Sequence, residues 1–90
     1  MVWQNPQNMS VKPLRLDLIK YLKKHNIQKK YDKQVNLFQL SPRHPSLNTE
    51  RLEPKHIKIY SFRIDRKYRA IFIFTSSKEI EIIDINDHYK

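Results

Sequence analysis

The stretch IKIYSFRIDRKYRAIFIFTSSKEIEIIDI, residues 57–85, decides the fold. Lys58, Tyr60, Phe62 and Ile64 alternate with Ile57, Ile59, Ser61 and Arg63, the period of two that marks a strand. Asp65-Arg66-Lys67 reads as a turn. Tyr68 to Thr75 reads as a second strand, apolar on both faces from Ala70 to Phe74 and therefore central. Ser76-Ser77-Lys78 turns again, and Glu79 to Ile85 forms a third strand. Connections this short join antiparallel neighbours, so the region is expected to form a meander.

Upstream the period changes. Leu14, Leu18 and Leu22 recur every four residues, flanked by Ile19 and Tyr21, with Arg15, Lys20, Lys23 and Lys24 on the remaining surface. This predicts an amphipathic helix over 13–24, with Pro13 in its first turn and Asn26 as a left-handed stop in a chain without glycine. A second helix is predicted over 27–40. Ile27, Tyr31, Val35 and Phe38 form its apolar stripe, with Lys29, Lys30, Lys33 and Gln34 facing out. It must end before Pro42, since a residue preceding proline avoids the α region. Ser41-Pro42-Arg43-His44-Pro45 then reads as a stiff loop, with His44 fixing it, and residues 46–56 as polar, irregular chain anchored by Leu47 and Leu52.

The expected fold is therefore α+β: an N-terminal antiparallel helical hairpin on a three- to four-stranded, mainly antiparallel sheet. The fourth strand would be a short one near Met9–Lys12. Residues 9–90 make one domain, and residues 1–8, polar around Pro6 and with Trp3, read as a flexible N-terminal extension.

Composition narrows the chemistry. Ninety residues hold 18 Lys and Arg, 9 Asp and Glu, no Gly and no Cys, for a formal charge of +9. Without cysteine there is no disulfide, thiolate nucleophile or thiolate-bound zinc, which suits a reducing, cytoplasmic setting. Without glycine there is no Gly-rich phosphate loop and no glycine-flanked serine elbow. His25, His44, His56 and His88 show no helical metal-ligand spacing, so no metal and no cofactor is expected. No apolar run approaches the length of a membrane span, and MVWQNPQNMS has neither the basic nor the apolar region of a signal peptide. The charge is uneven. Lys12 to Arg69 carries 16 basic residues against 5 acidic, and Ala70 to Lys90 carries 2 against 4. The positive field of the first three quarters points to a polyanion.

Topology alone gathers a candidate site. In a three-strand meander the start of the second strand lies beside the end of the first, and the end of the third returns to that level. Arg63, Arg69 and His88-Tyr89 should therefore share one end of the sheet. Such a set suits metal-free RNA cleavage. A base takes the ribose 2′-OH proton, and the oxygen attacks the adjacent phosphate. Arginine stabilises the pentacovalent charge, histidine protonates the leaving 5′-oxygen, and tyrosine stacks on a base.

HPSLNTERLEPKHIKIYSFRIDRKYRAIFIF, residues 44–74, followed by IEIIDINDHY, residues 80–89, resembles the RelE/ParE superfamily of bacterial toxins. The resemblance consists of a helical hairpin, then a Pro-x-His-Pro-Ser-Leu loop, then a strand with a Tyr-Ser-x-Arg-Ile core. A strand opening on Tyr-Arg follows, and a last strand ends near a histidine. The terminal His-Tyr is similar to the YoeB branch, whose members cut mRNA on the ribosome. The resemblance implies that Arg69 stabilises the transition state, His88 is the general acid and Tyr89 the neighbouring aromatic. It implies Glu50 as the general base, with Glu53 and His56 as alternatives. Arg63, Lys55, Lys58 and Lys67 would contact phosphate. The implied partners are a cognate antitoxin, forming a toxin–antitoxin hetero-oligomer, together with the ribosome and mRNA. Two other readings share the fold: a ParE-like DNA gyrase inhibitor, and a non-catalytic RNA- or protein-binding homologue.

Overall fold

Two helices lie against one face of a five-stranded sheet, in a computed structural model that describes residues 8–88. The expected extension over residues 1–8 falls, apart from Asn8, outside the described residues.

Strand β1, Ser10–Val11, pairs parallel with the last strand. The Ser10 amide donates to the Lys78 carbonyl (2.8 Å) and the Lys12 amide to the Ile80 carbonyl (2.9 Å). This pairing runs through the Lys12 amide, and Arg15 is still extended (φ −59°, ψ 148°). Helix α1 therefore begins at Leu16, three residues later than the apolar spacing suggests, and runs to Lys24. Asp17 in its first turn and Lys23 and Lys24 in its last complement the helix dipole. Asn26, at φ 57°, ends it. The Ile27 amide reaches back to the Leu22 carbonyl and the Asn26 amide to that of Lys23, a Schellman arrangement in which asparagine takes the usual place of glycine.

Helix α2, Gln28–Leu40, buries Tyr31, Gln34 and Phe38. Gln34 corrects the outward placement expected for it. Its Nε2 donates to the Arg63 carbonyl (2.7 Å) and the Ser46 carbonyl (3.3 Å). A buried amide with two acceptors fastens the helix to the sheet and to the following loop.

The loop carries two 3₁₀ turns, Pro45–Leu47 and Lys55–Ile57. His44 Nδ1 accepts from the Ser46 amide (3.1 Å) and caps the first turn, and Leu47 is fully buried behind it. Between the turns lies β2, Glu50–Arg51, antiparallel to β3, Tyr60–Arg63. The first strand of the meander is thus shorter than its alternating pattern, because residues 55–57 coil into a 3₁₀ turn and Lys58 takes φ 56°. Strands β4, Arg69–Ser76, and β5, Glu79–Asn86, complete a sheet of order β1-β5-β4-β3-β2.

Asp65 organises the β3–β4 turn. Its Oδ1 accepts from the Lys67 and Tyr68 amides (2.8 and 2.7 Å), and Lys30 Nζ lies 3.3 Å from its Oδ2. Burial pushes the Asp65 carboxyl up, but the hydrogen bonds from Tyr68, Lys67 and Lys30 outweigh it and hold it below the usual carboxylate range.

The core lies between helices and sheet. Leu18, Leu22, Ile27, Tyr31 and Phe38 meet Phe62, Ile64, Tyr68, Ala70, Phe72, Ile80, Ile82 and Ile85. Phe38 stacks on Phe62 at 5.5 Å and meets Phe72 edge-on at 5.4 Å. Truncating any of these phenylalanines to alanine would cost about 3–5 kcal/mol. One irregularity in β5 matters for the opposite face. Ile71 pairs with Asp84 but Phe72 with Ile82, so Ile83 is the extra residue of a bulge. It lets Ile82 and Ile85, three apart, both point into the core while Asp84 and Asn86 point away.

Candidate active site

The sheet face turned away from the helices carries the polar residues. Cross-strand partners share a face, and the register reads Glu50 opposite Ser61, Ser61 opposite Ile71, Arg63 opposite Arg69 and Arg69 opposite Asn86. Arg63, Arg69 and Asn86 form one row across three strands, and Glu50, Ser61, Ile71 and Asp84 flank it. The end of the sheet on which topology places Arg63, Arg69 and the chain past β5 is this row.

Arg69 is the centre of the arrangement. It is 7% exposed, an unusual burial for a guanidinium. Its Nε donates to Ser61 Oγ (2.9 Å), and its Nη2 to the Ser61 carbonyl (3.4 Å) and to the Asn48 carbonyl. Glu50 Oε1 lies 3.8 Å from Nη2, on a side chain that is 50% exposed. The guanidinium plane is thus fixed from β3 and from the loop, while the carboxylate beside it reaches solvent. A fixed cation next to an accessible carboxylate can bind a phosphate and take a proton from a group beside it.

Next to this pair lies a cleft of about 310 Å³ with an apolar floor of Leu52, Ile57, Ile59, Ile71 and Ile83 and polar walls of Glu53, Asp84 and Asn86. Glu53 lines this cleft and Glu50 does not, and His56 is exposed on the second 3₁₀ turn. His88 follows β5 two residues beyond Asn86. Its amide donates to Asn86 Oδ1 (3.2 Å), its Nε2 lies 3.9 Å from Asp87, and its side chain is 81% exposed. Tyr89 lies outside the described residues.

The expected phosphate contacts are spread along the rim. Arg63 is exposed, in the row with Arg69. Lys67, in the β3–β4 turn, holds its Nζ 5.4 Å from the Tyr68 ring. Lys55 and Lys58 are exposed around the second 3₁₀ turn, and the Lys55 carbonyl accepts from Arg51 Nε (2.9 Å). Among the described residues, no group of three or more His, Asp or Glu is arranged to hold a metal ion, and no helix is long and apolar enough to cross a membrane.

No family model matches this sequence, and no curated protein matches it. Solved structures do. A YoeB/ParE toxin from Agrobacterium tumefaciens superposes with a TM-score of 0.65 at 16% identity, over 91% of this chain and 99% of that one. A YoeB dimer from Staphylococcus aureus superposes at 0.59 with 21% identity, over 94% and 100% of the two chains. The YoeB–YefM complex from the same organism gives 0.58 at 22% identity, over 94% and 100%.

This chain has the YoeB/ParE toxin fold. The α+β architecture expected from its sequence is the one observed, with β1 where a short strand was anticipated and β2 as an addition. In this YoeB/ParE fold two residues position Arg69 that the sequence reading leaves without that role. The alternation of the strand puts Ser61 on the face of Arg63 without showing its task, and Asn48 falls in polar, irregular chain. The available signal at Asn48 was its type. In a chain without glycine, asparagine is the residue best suited to a left-handed turn, and Asn48 has φ 43°.

Proposed function

We propose that this chain is the toxin of a type II toxin–antitoxin pair, a ribosome-dependent mRNA endonuclease that works through its own side chains. The Glu50–Arg69 pair on the outer face of the sheet carries the reading. Glu50 removes the proton of a ribose 2′-OH, with Glu53 and His56 the alternatives for that role. The 2′-oxygen attacks the adjacent phosphorus. Arg69, held by Ser61 and Asn48, stabilises the charge that accumulates on the phosphoryl oxygens. The bond to the 5′-oxygen breaks, and His88 gives that oxygen a proton. The products are a 2′,3′-cyclic phosphate and a 5′-hydroxyl. Tyr89 stacks on an unpaired base, and Arg63, Lys55, Lys58 and Lys67 contact phosphates.

The exposed lysines of the helical hairpin suit ribosomal RNA, with a salt dependence that grows with the number of phosphates neutralised. The acidic partner expected of a +9 chain is a cognate antitoxin, and one of the similar structures is a YoeB–YefM complex. Toxin and antitoxin would form a hetero-oligomer and act in the cytoplasm. Expression of the chain alone should arrest growth and leave transcripts cut within codons. Arrest with intact mRNA and gyrase-dependent DNA breaks would replace this reading with gyrase inhibition.

A further inference from the structure

The bulge in β5 shapes the cleft of about 310 Å³ beside the Arg69 row. A regular strand sends successive side chains to opposite faces, but here Ile83 and Asp84 both line the cleft. The residue before α1 fastens the bulge. Arg15 Nη1 donates to the Ile83 carbonyl (3.1 Å), and Asp17 accepts from Arg15 Nε and Nη2 (3.0 Å each). Ile71, on the floor, is buried and pairs with Asp84. Asn86 joins the cleft to the candidate site, since it lines the one and is the cross-strand partner of Arg69 in the other. The walls present acceptors. Asp84 Oδ2 accepts from Asn86 Nδ2 (2.8 Å), and Asn86 Oδ1 accepts from the His88 amide (3.2 Å). Among the described residues, Asp84 Oδ1 and the Glu53 carboxylate have no hydrogen-bond donor.

We propose that, with this face read as an RNA-cleaving site, the cleft is a base subsite in which Glu53 and Asp84 select guanine in the substrate. Size sets the occupant first. A volume of about 310 Å³ is at the lower end for a ligand pocket and takes one planar ring system on its aliphatic floor. Charge sets it next. Two carboxylates repel a phosphate, and a cationic ligand would have to approach a chain of net charge +9. A neutral, donor-rich heterocycle suits both limits. Hydrogen bonding then separates the bases. Guanine offers N1–H and N2–H side by side, two donors for one carboxylate. Adenine and cytosine each offer one amino group beside an acceptor nitrogen. The single ring N–H of uracil stands between two carbonyl oxygens, which carboxylates repel. The position beside Arg69 lets a base enter the cleft while a neighbouring phosphate meets the guanidinium.

The test titrates the full-length chain with 2′-O-methyl trinucleotides, whose blocked 2′-oxygens prevent cleavage, and follows the methyl resonances of Ile71 and Ile83. UGU should shift both methyls and bind about ten- to hundredfold tighter than UUU. UIU, in which inosine lacks the N2 amino group, should lose most of that preference, and UAU should bind more weakly than UGU. Asp84→Asn and Glu53→Gln, both at exposed positions where circular dichroism would check folding, should each lower the preference for UGU over UUU about fivefold or more. Equal affinity for UGU and UUU, a preference unchanged in both variants, or methyls unmoved by every trinucleotide at millimolar concentration would overturn the subsite. So would an oligolysine peptide that shifts the two methyls where the trinucleotides do not. Guanine-selective shifts in a chain that leaves message intact on programmed ribosomes would keep the subsite and remove the nuclease reading. Cleavage of that message with no guanine preference in binding would do the reverse.

Discussion

Arg69 Nε donates a hydrogen bond to Ser61 Oγ across the β3–β4 pairing, at 2.9 Å, and neither residue is more than 7% exposed. A serine at the dry centre of a sheet is there to accept from the arginine, and the arginine can be buried because the serine accepts. Ser61→Ala would leave a guanidinium N–H without that partner. It should lower stability by about 1–3 kcal/mol, read as a lower urea midpoint at unchanged slope, and should slow RNA cleavage mainly through kcat. Ser61→Thr, which keeps the acceptor, should recover part of both.

Glu50 separates chemistry from stability. Its carboxylate is 50% exposed and stands 3.8 Å from the buried Arg69, a long contact at the solvent edge that should contribute about 1 kcal/mol or less. Glu50→Gln should therefore unfold within about 1 kcal/mol of the parent while losing about 10²- to 10⁴-fold in cleavage. If Glu53→Gln or His56→Gln shows that loss and Glu50→Gln does not, the base belongs there.

How much of this could be read from the chain follows from how each residue acts. Strands β4 and β5 were legible because eight-residue runs such as Arg69–Ser76 carry their own pattern. Strand β2 was not, since Glu50–Arg51 is two exposed residues that pair only because Leu52 and the 3₁₀ turns bring them to β3. Helix α1 starts late because β1 pairing, a long-range contact between residues 10–12 and 78–80, outcompetes the apolar spacing. Arg63 and Arg69 could be set in one row from topology, and Glu50 came forward through a motif. The holders of Arg69 act through a hydroxyl and a backbone carbonyl, and neither leaves a mark on composition or periodicity.

Asp65 should make the fold acid-sensitive. Its carboxyl is held below the usual range by the Tyr68 and Lys67 amides and Lys30, against the effect of burial. The unfolded chain therefore takes up this proton first as pH falls. The stabilisation is present above the ordinary carboxylate pKa and is lost as pH drops through the lower folded value. Asp65→Asn should cost about 1 kcal/mol at pH 7 and remove part of the stability difference between pH 7 and pH 3, measured by urea unfolding at each pH.

Tyr31 should act at the other end. Burial, with Asp32 nearby, pushes its hydroxyl up to about 12. The unfolded chain loses this proton near the ordinary tyrosine value of about 10, so the folded state binds it more tightly and stability falls as pH rises from about 10 to about 12. Tyr31→Phe should flatten that alkaline decline and unfold within about 1 kcal/mol of the parent at pH 7. An unchanged alkaline slope would show that Tyr31 does not carry it.

In the proposed reaction Arg69, Glu50 and His88 cut RNA through the substrate's own 2′-hydroxyl. Purified chain, added to ribosomes programmed with a defined mRNA, tests it most directly through the ends of the fragments. The expected products are 2′,3′-cyclic phosphate and 5′-hydroxyl ends within the A-site codon, with cleavage reduced about 10²- to 10³-fold in Arg69→Lys and about 10²- to 10⁴-fold in His88→Ala. Intact message, 5′-phosphate ends, or undiminished cleavage by both variants would contradict it.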